Sequence, residues 1–139
     1  MSQIAQKAAV VTGASSGIGR AAAIRLAADG LHVLAVGRNA TALAEVCREI
    51  ERAGGHAADL AVDVTAAGAP ASIVERAMDA FGGIDALVNA AGVIRSGSVA
   101  ETADEGWDLM MDVNVRAPFR LIRQAAGALA DRRGAVVNV

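Results

Sequence analysis

The sequence predicts a doubly wound α/β fold, in which helices cover both faces of one parallel β-sheet. Short apolar runs of strand length alternate with segments of helical period, and glycine stands at nearly every junction between them. The runs are apolar on both faces, as strands buried between two helical layers are. Right-handed crossovers leave few topologies, and the favoured strand order is 3-2-1-4-5, with a switch point between strands 1 and 4 where ligands bind.

Each predicted element has its own support in the sequence. Apolar runs bounded by turn residues give five strands, at residues 8–11, 31–36, 57–62, 84–88 and 135–139. An alanine-rich helix over 18–28 follows the first strand, and the apolar face of a second helix carries Leu43, Val46, Cys47 and Ile50. Pro70 suits the first turn of a third helix. Thr102 and Glu105 have the spacing of a capping box, which predicts a long fourth helix running to about residue 130.

Length and composition bound the class of protein. The 139 residues fit a single domain, 1–139, and 54% hydrophobic against 20% charged residues indicate a folded chain. A net charge of −2 argues against nucleic acid as a partner. One cysteine and two histidines exclude a disulfide scaffold, and we expect no metal site. No apolar run approaches the roughly 18 residues of a membrane span, so we expect no membrane partner and a cytoplasmic location.

A glycine-rich turn between the first strand and the first helix is the strongest candidate site. Such a bend lets backbone N–H groups and the positive end of the helix dipole meet a diphosphate, because glycine permits both the tight turn and close approach. The functional interpretation is dinucleotide binding, and the alternative is a tight turn whose serine only caps the helix. The residues expected to hold the cofactor here are Gly13, Ser15, Ser16, Gly17, Ile18 and Gly19.

An arginine follows the second strand, where a cofactor's ribose is recognised. Arg38 stands 19 residues after Gly19, and an acidic residue near that distance would bind the ribose 2′-hydroxyl. Arginine is suited to a 2′-phosphate instead, which predicts NADP(H) over NAD(H), with NAD still possible. The alternative is a solvated arginine at a strand end, since no second basic residue lies within the glycine turn.

The predicted long helix carries an amide on its apolar stripe. Asn114 shares that stripe with Trp107, Met110, Met111, Pro118, Leu121, Ile122, Ala125 and Leu129. A buried amide without partners costs about 1 to 3 kcal/mol, so Asn114 should be hydrogen-bonded. Pro118 lacks the N–H that would bond the carbonyl of Asn114, which predicts a kink and a free carbonyl able to hold a water molecule. The alternative is an asparagine bonded within its own helix.

Four motifs resemble those of the short-chain dehydrogenase/reductase family. Residues 12–19 resemble its Thr-Gly-x-x-x-Gly-x-Gly signature, and residues 89–92 resemble its Asn-Ala-Gly motif. The resemblance implies a Rossmann-like fold, an adenine contact at Asp63 and Val64, cofactor contacts at Asn89, Ala90 and Gly92, and a catalytic proton-relay role for Asn114. From the residues alone, Asp63 could instead cap the turn after its strand, and Asn89 could only pin neighbouring strand ends.

Members of this family transfer hydride between a nicotinamide cofactor and a carbonyl or alcohol, using a serine and a Tyr-x-x-x-Lys motif. This chain has no tyrosine, and Lys7 is its only lysine. The resemblance covers the family's N-terminal half, so we expect an NAD(P)-binding domain truncated after strand 5 and inactive as given. The alternatives are a non-catalytic dinucleotide-binding module and half of a complementing split enzyme. For the full-length form we expect a small-molecule carbonyl or alcohol substrate and a homo-oligomer.

Overall fold

Five parallel strands form one sheet in the order β3-β2-β1-β4-β5, as predicted. The structure, a computed structural model, describes residues 5–139. The strands are β1 (Ala8–Thr12), β2 (His32–Gly37), β3 (Ala57–Ala61), β4 (Ala86–Asn89) and β5 (Ala135–Asn138). Their carboxyl ends meet at one edge of the sheet, on either side of the switch point between β1 and β4.

Within residues 5–139, the strands are connected by five α-helices: α1 (Gly17–Ala28), α2 (Ala40–Arg52), α3 (Ala69–Phe81), α4 (Asp104–Met111) and α5 (Ala117–Arg132). Pro70 lies in the first turn of α3, as predicted. The helix ends at Gly82, whose φ of 73° places it in the left-handed region typical of helix ends. None of the helices within residues 5–139 has both the length and the apolar character needed to cross a bilayer.

The core has two layers, one on each face of the sheet. On one face, alternate strand residues such as Val10 and Leu87 pack against α3 and α5. On the other face, Val11, Val33 and Ala35 pack against α1 and α2. Neighbouring residues of β1 therefore point into opposite cores, which explains why the strand is apolar throughout. Cys47 is half-buried beside the second core, as its place on the apolar face of α2 predicts.

The predicted capping box at Thr102 and Glu105 is wrong. The capping box lies one turn earlier, where Glu101 Oε2 accepts hydrogen bonds from the Ser98 hydroxyl at 2.7 Å and the Ser98 N–H at 3.3 Å. It opens a short 3₁₀ helix, Val99–Glu101. The Thr102 hydroxyl donates to the Ser98 carbonyl at 2.8 Å, so it is engaged with the preceding turn. The helix α4 consequently begins at Asp104.

The long fourth helix is interrupted by a π turn, Asp112–Arg116, directly before the proline that predicted a break. Ala117 donates its N–H to the Asp112 carbonyl, five residues back, so one extra residue enters the turn. This rotates the buried face, which runs through Val113, Ala117, Leu121, Ala125 and Leu129. The predicted stripe is therefore wrong before the proline: Trp107 is 58% exposed, and Asn114 is exposed as well.

Candidate functional site

An open cleft of about 610 Å³ lies at the carboxyl ends of β1, β2 and β4. It brings together ten of the residues singled out in the sequence: Gly13, Ser15, Ser16, Gly17, Ile18, Arg38, Asp63, Val64, Ala90 and Gly92. Three others lie elsewhere. Gly19 is buried beneath the turn, whereas Asn89 and Asn114 line a second cleft of about 380 Å³ on the β5 side.

The amino end of α1 opens into the cleft with free hydrogen-bond donors. The first backbone bond of this helix joins the Arg20 N–H to the Ser16 carbonyl at 3.1 Å. The N–H groups of Gly17, Ile18 and Gly19 therefore have no acceptor within residues 5–139, and the first turn carries no acidic residue. Ser16 precedes the helix, but its side chain makes no cap hydrogen bond to the described chain. These donors and the helix dipole together suit an anion.

Two glycines of the turn are required by what lies against them. A Cβ atom at Gly13 would lie 2.7 Å from the Ala90 carbonyl, and the φ of 64° already disfavours other residues. A Cβ atom at Gly19 would lie 2.1 Å from the Gly13 carbonyl oxygen. The turn thus packs directly on the loop after β4 and on the first turn of its own helix.

Thr12 fixes the loop after β4, a role the sequence did not assign to it. Its side chain is 2% exposed, and its hydroxyl accepts hydrogen bonds from the N–H groups of Ala90 and Ala91, both at 3.2 Å. The signal was present, because Thr12 is the first residue of the glycine signature. A threonine at a strand end has no evident partner until the neighbouring strand is known.

Asn89 pins two strand ends together. It is 3% exposed and stands opposite Asn138 in the pairing of β4 with β5. Its Nδ2 donates to Asn138 Oδ1 at 2.9 Å. This is the architectural alternative considered for the residue, and it gives the inner wall of the site a fixed position.

At the far end of the cleft, Asp63 caps the turn that follows β3. Its Oδ1 accepts hydrogen bonds from the Thr65 N–H at 2.9 Å and the Thr65 hydroxyl at 2.7 Å. These bonds, with a smaller contribution from Arg38, hold the pKa of Asp63 below its usual range, so the carboxylate is ionised. Arg38 itself is exposed and makes no ion pair with the rest of the described chain. The capping of this turn by Asp63 is therefore seen in the structure, whereas the contact of Asp63 with adenine stays a prediction.

Asn114 holds the loop after β4 from the other side. Its Oδ1 accepts from the Val93 N–H at 2.9 Å, and its Nδ2 donates to the Val93 carbonyl at 2.8 Å. The amide is therefore satisfied, as expected, but by another segment of the chain and from an exposed position. The alternative of a bond within its own helix does not apply. Val93 is a residue that sequence reasoning missed, since only its backbone takes part.

The fold and the cleft define a Rossmann-like α/β protein that is open at the switch point of its sheet. The family model described as short chain dehydrogenase matches residues 7–139. The chain therefore belongs to the short-chain dehydrogenase family.

Individual relatives agree with this membership. A 3beta-hydroxysteroid dehydrogenase from Mediterraneibacter gnavus is 37% identical over 140 residues, which cover 100% of this chain and 51% of the relative. A variant of actinorhodin polyketide ketoreductase, solved with NADPH, is similar with a TM-score of 0.91 and 35% identity, covering 99% of this chain and 54% of that one. An L-sorbose reductase from Gluconobacter frateurii, complexed with NADPH and L-sorbose, gives a TM-score of 0.90 and 37% identity over 97% and 52% of the two chains.

The chain spans about half the length of these relatives and corresponds to their N-terminal half.

Proposed function

We propose that this chain is the NADP(H)-binding part of a dehydrogenase/reductase that acts on a small carbonyl or alcohol substrate. The observation that carries the proposal is the cleft of about 610 Å³, where the glycine turn and Arg38 lie together at the switch point. Two of the similar structures were solved with NADPH, which supports the choice of cofactor. In this proposal residues 1–139 form one nucleotide-binding domain of a cytoplasmic protein.

The residues of the cleft fit the parts of a phosphorylated dinucleotide. The free N–H groups at Gly17 and Ile18 would bind the diphosphate, and the exposed guanidinium of Arg38 would bind the 2′-phosphate. Ser15 and Ser16 add hydroxyl groups beside the turn, and Asp63 and Val64 would contact the adenine. When bound, the nicotinamide supplies hydride transfer.

The 139 residues contain only part of the proton-transfer machinery that the reaction needs. The resemblance assigns Asn114 to a proton relay, and Pro118 cannot donate a backbone hydrogen bond to the Asn114 carbonyl. A general acid is missing, because the chain has no tyrosine and Lys7 precedes β1 at the opposite end of the sheet. We therefore propose that the 139 residues bind the cofactor but do not catalyse hydride transfer by themselves.

A complementing second chain is the alternative to this proposal. All four residues of β5 are exposed, although β5 continues the apolar sheet. Such a strand is suited to packing against further polypeptide, which a second chain and further residues of the same protein would supply equally. A non-catalytic binding module would share the cleft but would not need this surface to be covered.

Titration with NADPH and NADH tests the cofactor proposal. We expect tighter binding of NADPH, and we expect Arg38→Ala to weaken NADPH binding about 10- to 100-fold, the value of one charged hydrogen-bonded contact, while NADH binding changes little. Arg48→Ala is the matched control, because Arg48 is an exposed arginine of α2 outside the cleft. Tighter binding of NADH, or an unchanged preference in Arg38→Ala, would contradict the proposal.

A further inference from the structure

The two histidines of the chain lie side by side at the end of the sheet opposite the cleft. His32 begins β2, and His56 directly precedes β3. Val33 pairs with Ala57 and donates its N–H to the His56 carbonyl at 3.0 Å, so His32 and His56 occupy the preceding rung of two adjacent parallel strands. Their ring centroids are 4.6 Å apart, although 24 positions separate them in sequence.

A third ring fixes this arrangement. Phe81, the last residue of α3, packs edge-on against His32 with ring centroids 5.4 Å apart. His32 is half-buried between Phe81 and His56, whereas His56 is exposed. One imidazole is thus held by packing and the other can adjust, which reduces the entropy lost when both contact a common ligand.

The spacing of the rings fits two ligands of one metal ion. With metal–nitrogen bonds of about 2.0–2.1 Å, two imidazoles at a right angle place their ring centroids about 4.5 Å apart, whereas a tetrahedral angle places them about 5.2 Å apart. The observed 4.6 Å, with the ring planes tilted by 59°, is close to the right-angle value, and the exposed His56 ring is free to turn a nitrogen toward an ion shared with His32. A right angle between ligands is the geometry of tetragonal Cu²⁺ and Ni²⁺.

The sequence alone led us to expect no metal site, because nothing in it showed that the two histidines meet. From their contact in the structure we propose that His32 and His56 form a two-imidazole site for a divalent transition metal ion of the Cu²⁺ or Ni²⁺ type. Residues 5–139 contain no group of three or more histidine, cysteine, aspartate or glutamate side chains at metal-binding spacing, so water completes the coordination. Among first-row divalent ions Cu²⁺ binds such nitrogen ligands most tightly. The bound ion bridges β2 and β3 at the exposed edge of the sheet.

This site is independent of the cofactor cleft. His32 is the first residue of β2 and Arg38 directly follows its last, so the two are about 20 Å apart at the usual rise of a strand. The one thiol of the chain is Cys47, whose pKa is raised to about 11 by burial and by nearby acidic residues, which keeps it protonated and a poor metal ligand. The metal is therefore expected to leave NADPH affinity unchanged.

Titration of the full chain with Cu²⁺ at pH 7.5 tests the proposal, with binding followed by calorimetry and coordination by electron paramagnetic resonance. We expect one Cu²⁺ per chain, coordinated by two imidazole nitrogens, and a higher Tm when the ion is bound. His56→Gln and His32→Gln should each weaken binding at least about 10-fold, the loss of one ligand's contribution. Ni²⁺ should bind more weakly than Cu²⁺.

Three controls separate binding at His32 and His56 from background binding and from misfolding. The double variant His32→Gln/His56→Gln measures the background from backbone and amino-terminal nitrogens, and Cys47→Ser should bind like the unaltered chain. Because His56 is exposed, His56→Gln should fold normally, which far-UV circular dichroism checks. Equal affinities of the unaltered chain and His56→Gln, or a signal from only one imidazole nitrogen, would overturn the proposal.

Discussion

There is no space for a side chain at Gly19, whereas a side chain would fit at Gly127. The space beside Gly19 is filled by the Gly13 carbonyl, and no heavy atom of residues 5–139 outside its own helix backbone lies within 4 Å of a Cβ built at Gly127. The glycine signature predicts glycine at position 19, whereas the reason seen in the structure is the backbone of the turn itself, which fills the space that a side chain would need. The role of Thr12 was not predictable, since its partners are backbone groups that only the pairing of β1 with β4 brings near.

Alanine at these two glycines should act in opposite directions. Gly19→Ala should lower the free energy of unfolding by about 1 to 3 kcal/mol, the usual cost of overpacking, and should abolish measurable NADPH binding. Gly127→Ala, the matched control, should raise the free energy of unfolding by about 0.5–1 kcal/mol, because alanine loses less backbone entropy than glycine when a helix forms. Urea unfolding measures both values. A Gly19→Ala chain that binds NADPH normally would contradict the packing argument.

At the scale of elements, the segment from Asp104 to Arg132 departs furthest from its sequence pattern. Pro118 predicted a kink in this helix, and a π turn interrupts the helix two residues before the proline. The pattern could not reveal the extra residue in the π turn, because helical periodicity assumes a constant number of residues per turn. As a result the burial of Leu121, Ala125 and Leu129 was predicted correctly and that of Ala117 was missed. Trp107 and Asn114 were assigned to the buried face, but both are exposed.

Removing the Asn114 amide should loosen the loop after β4. Asn114→Ala breaks both hydrogen bonds to Val93, so we expect the free energy of unfolding to fall by about 1 to 3 kcal/mol. Hydrogen exchange at the Val93 amide should accelerate, while amides of β1 stay protected. Gln124→Ala, an exposed change on α5, is the control. Unchanged exchange at Val93 in Asn114→Ala would exclude this positioning role.

At the scale of the whole molecule, the sheet order and the position of the cleft were both predictable from the sequence. They follow from two general rules, the handedness of crossovers and the location of ligands at the switch point, so they do not depend on side-chain detail. Exposed apolar residues were less predictable. Trp107, Met111, Val115 and Phe119 recur every fourth position and form an exposed stripe across α4, the π turn and α5.

This stripe is suited to association with a second copy of the chain, since exposed apolar surface marks association sites. We expect the 139-residue chain to associate with rising concentration, as measured by sedimentation velocity. The double change Val115→Lys/Phe119→Lys should shift the distribution toward monomer. Gln124→Lys, at an exposed position on a different face of α5 from Phe119, should leave it unchanged. Equal sedimentation of the two variants would show that the stripe takes no part in association.

The paired bonds between Asn114 and Val93 also make the site sensitive to a chemical change too small to alter its shape. Deamidation would replace the side-chain NH₂ group of Asn114 by an oxygen. The resulting carboxylate still accepts from the Val93 N–H, but its second oxygen then faces the oxygen of the Val93 carbonyl, and the two acceptors repel each other. Deamidation of this one side chain, with no change in its volume, would thus weaken the attachment of the loop after β4 to the helix that carries Asn114.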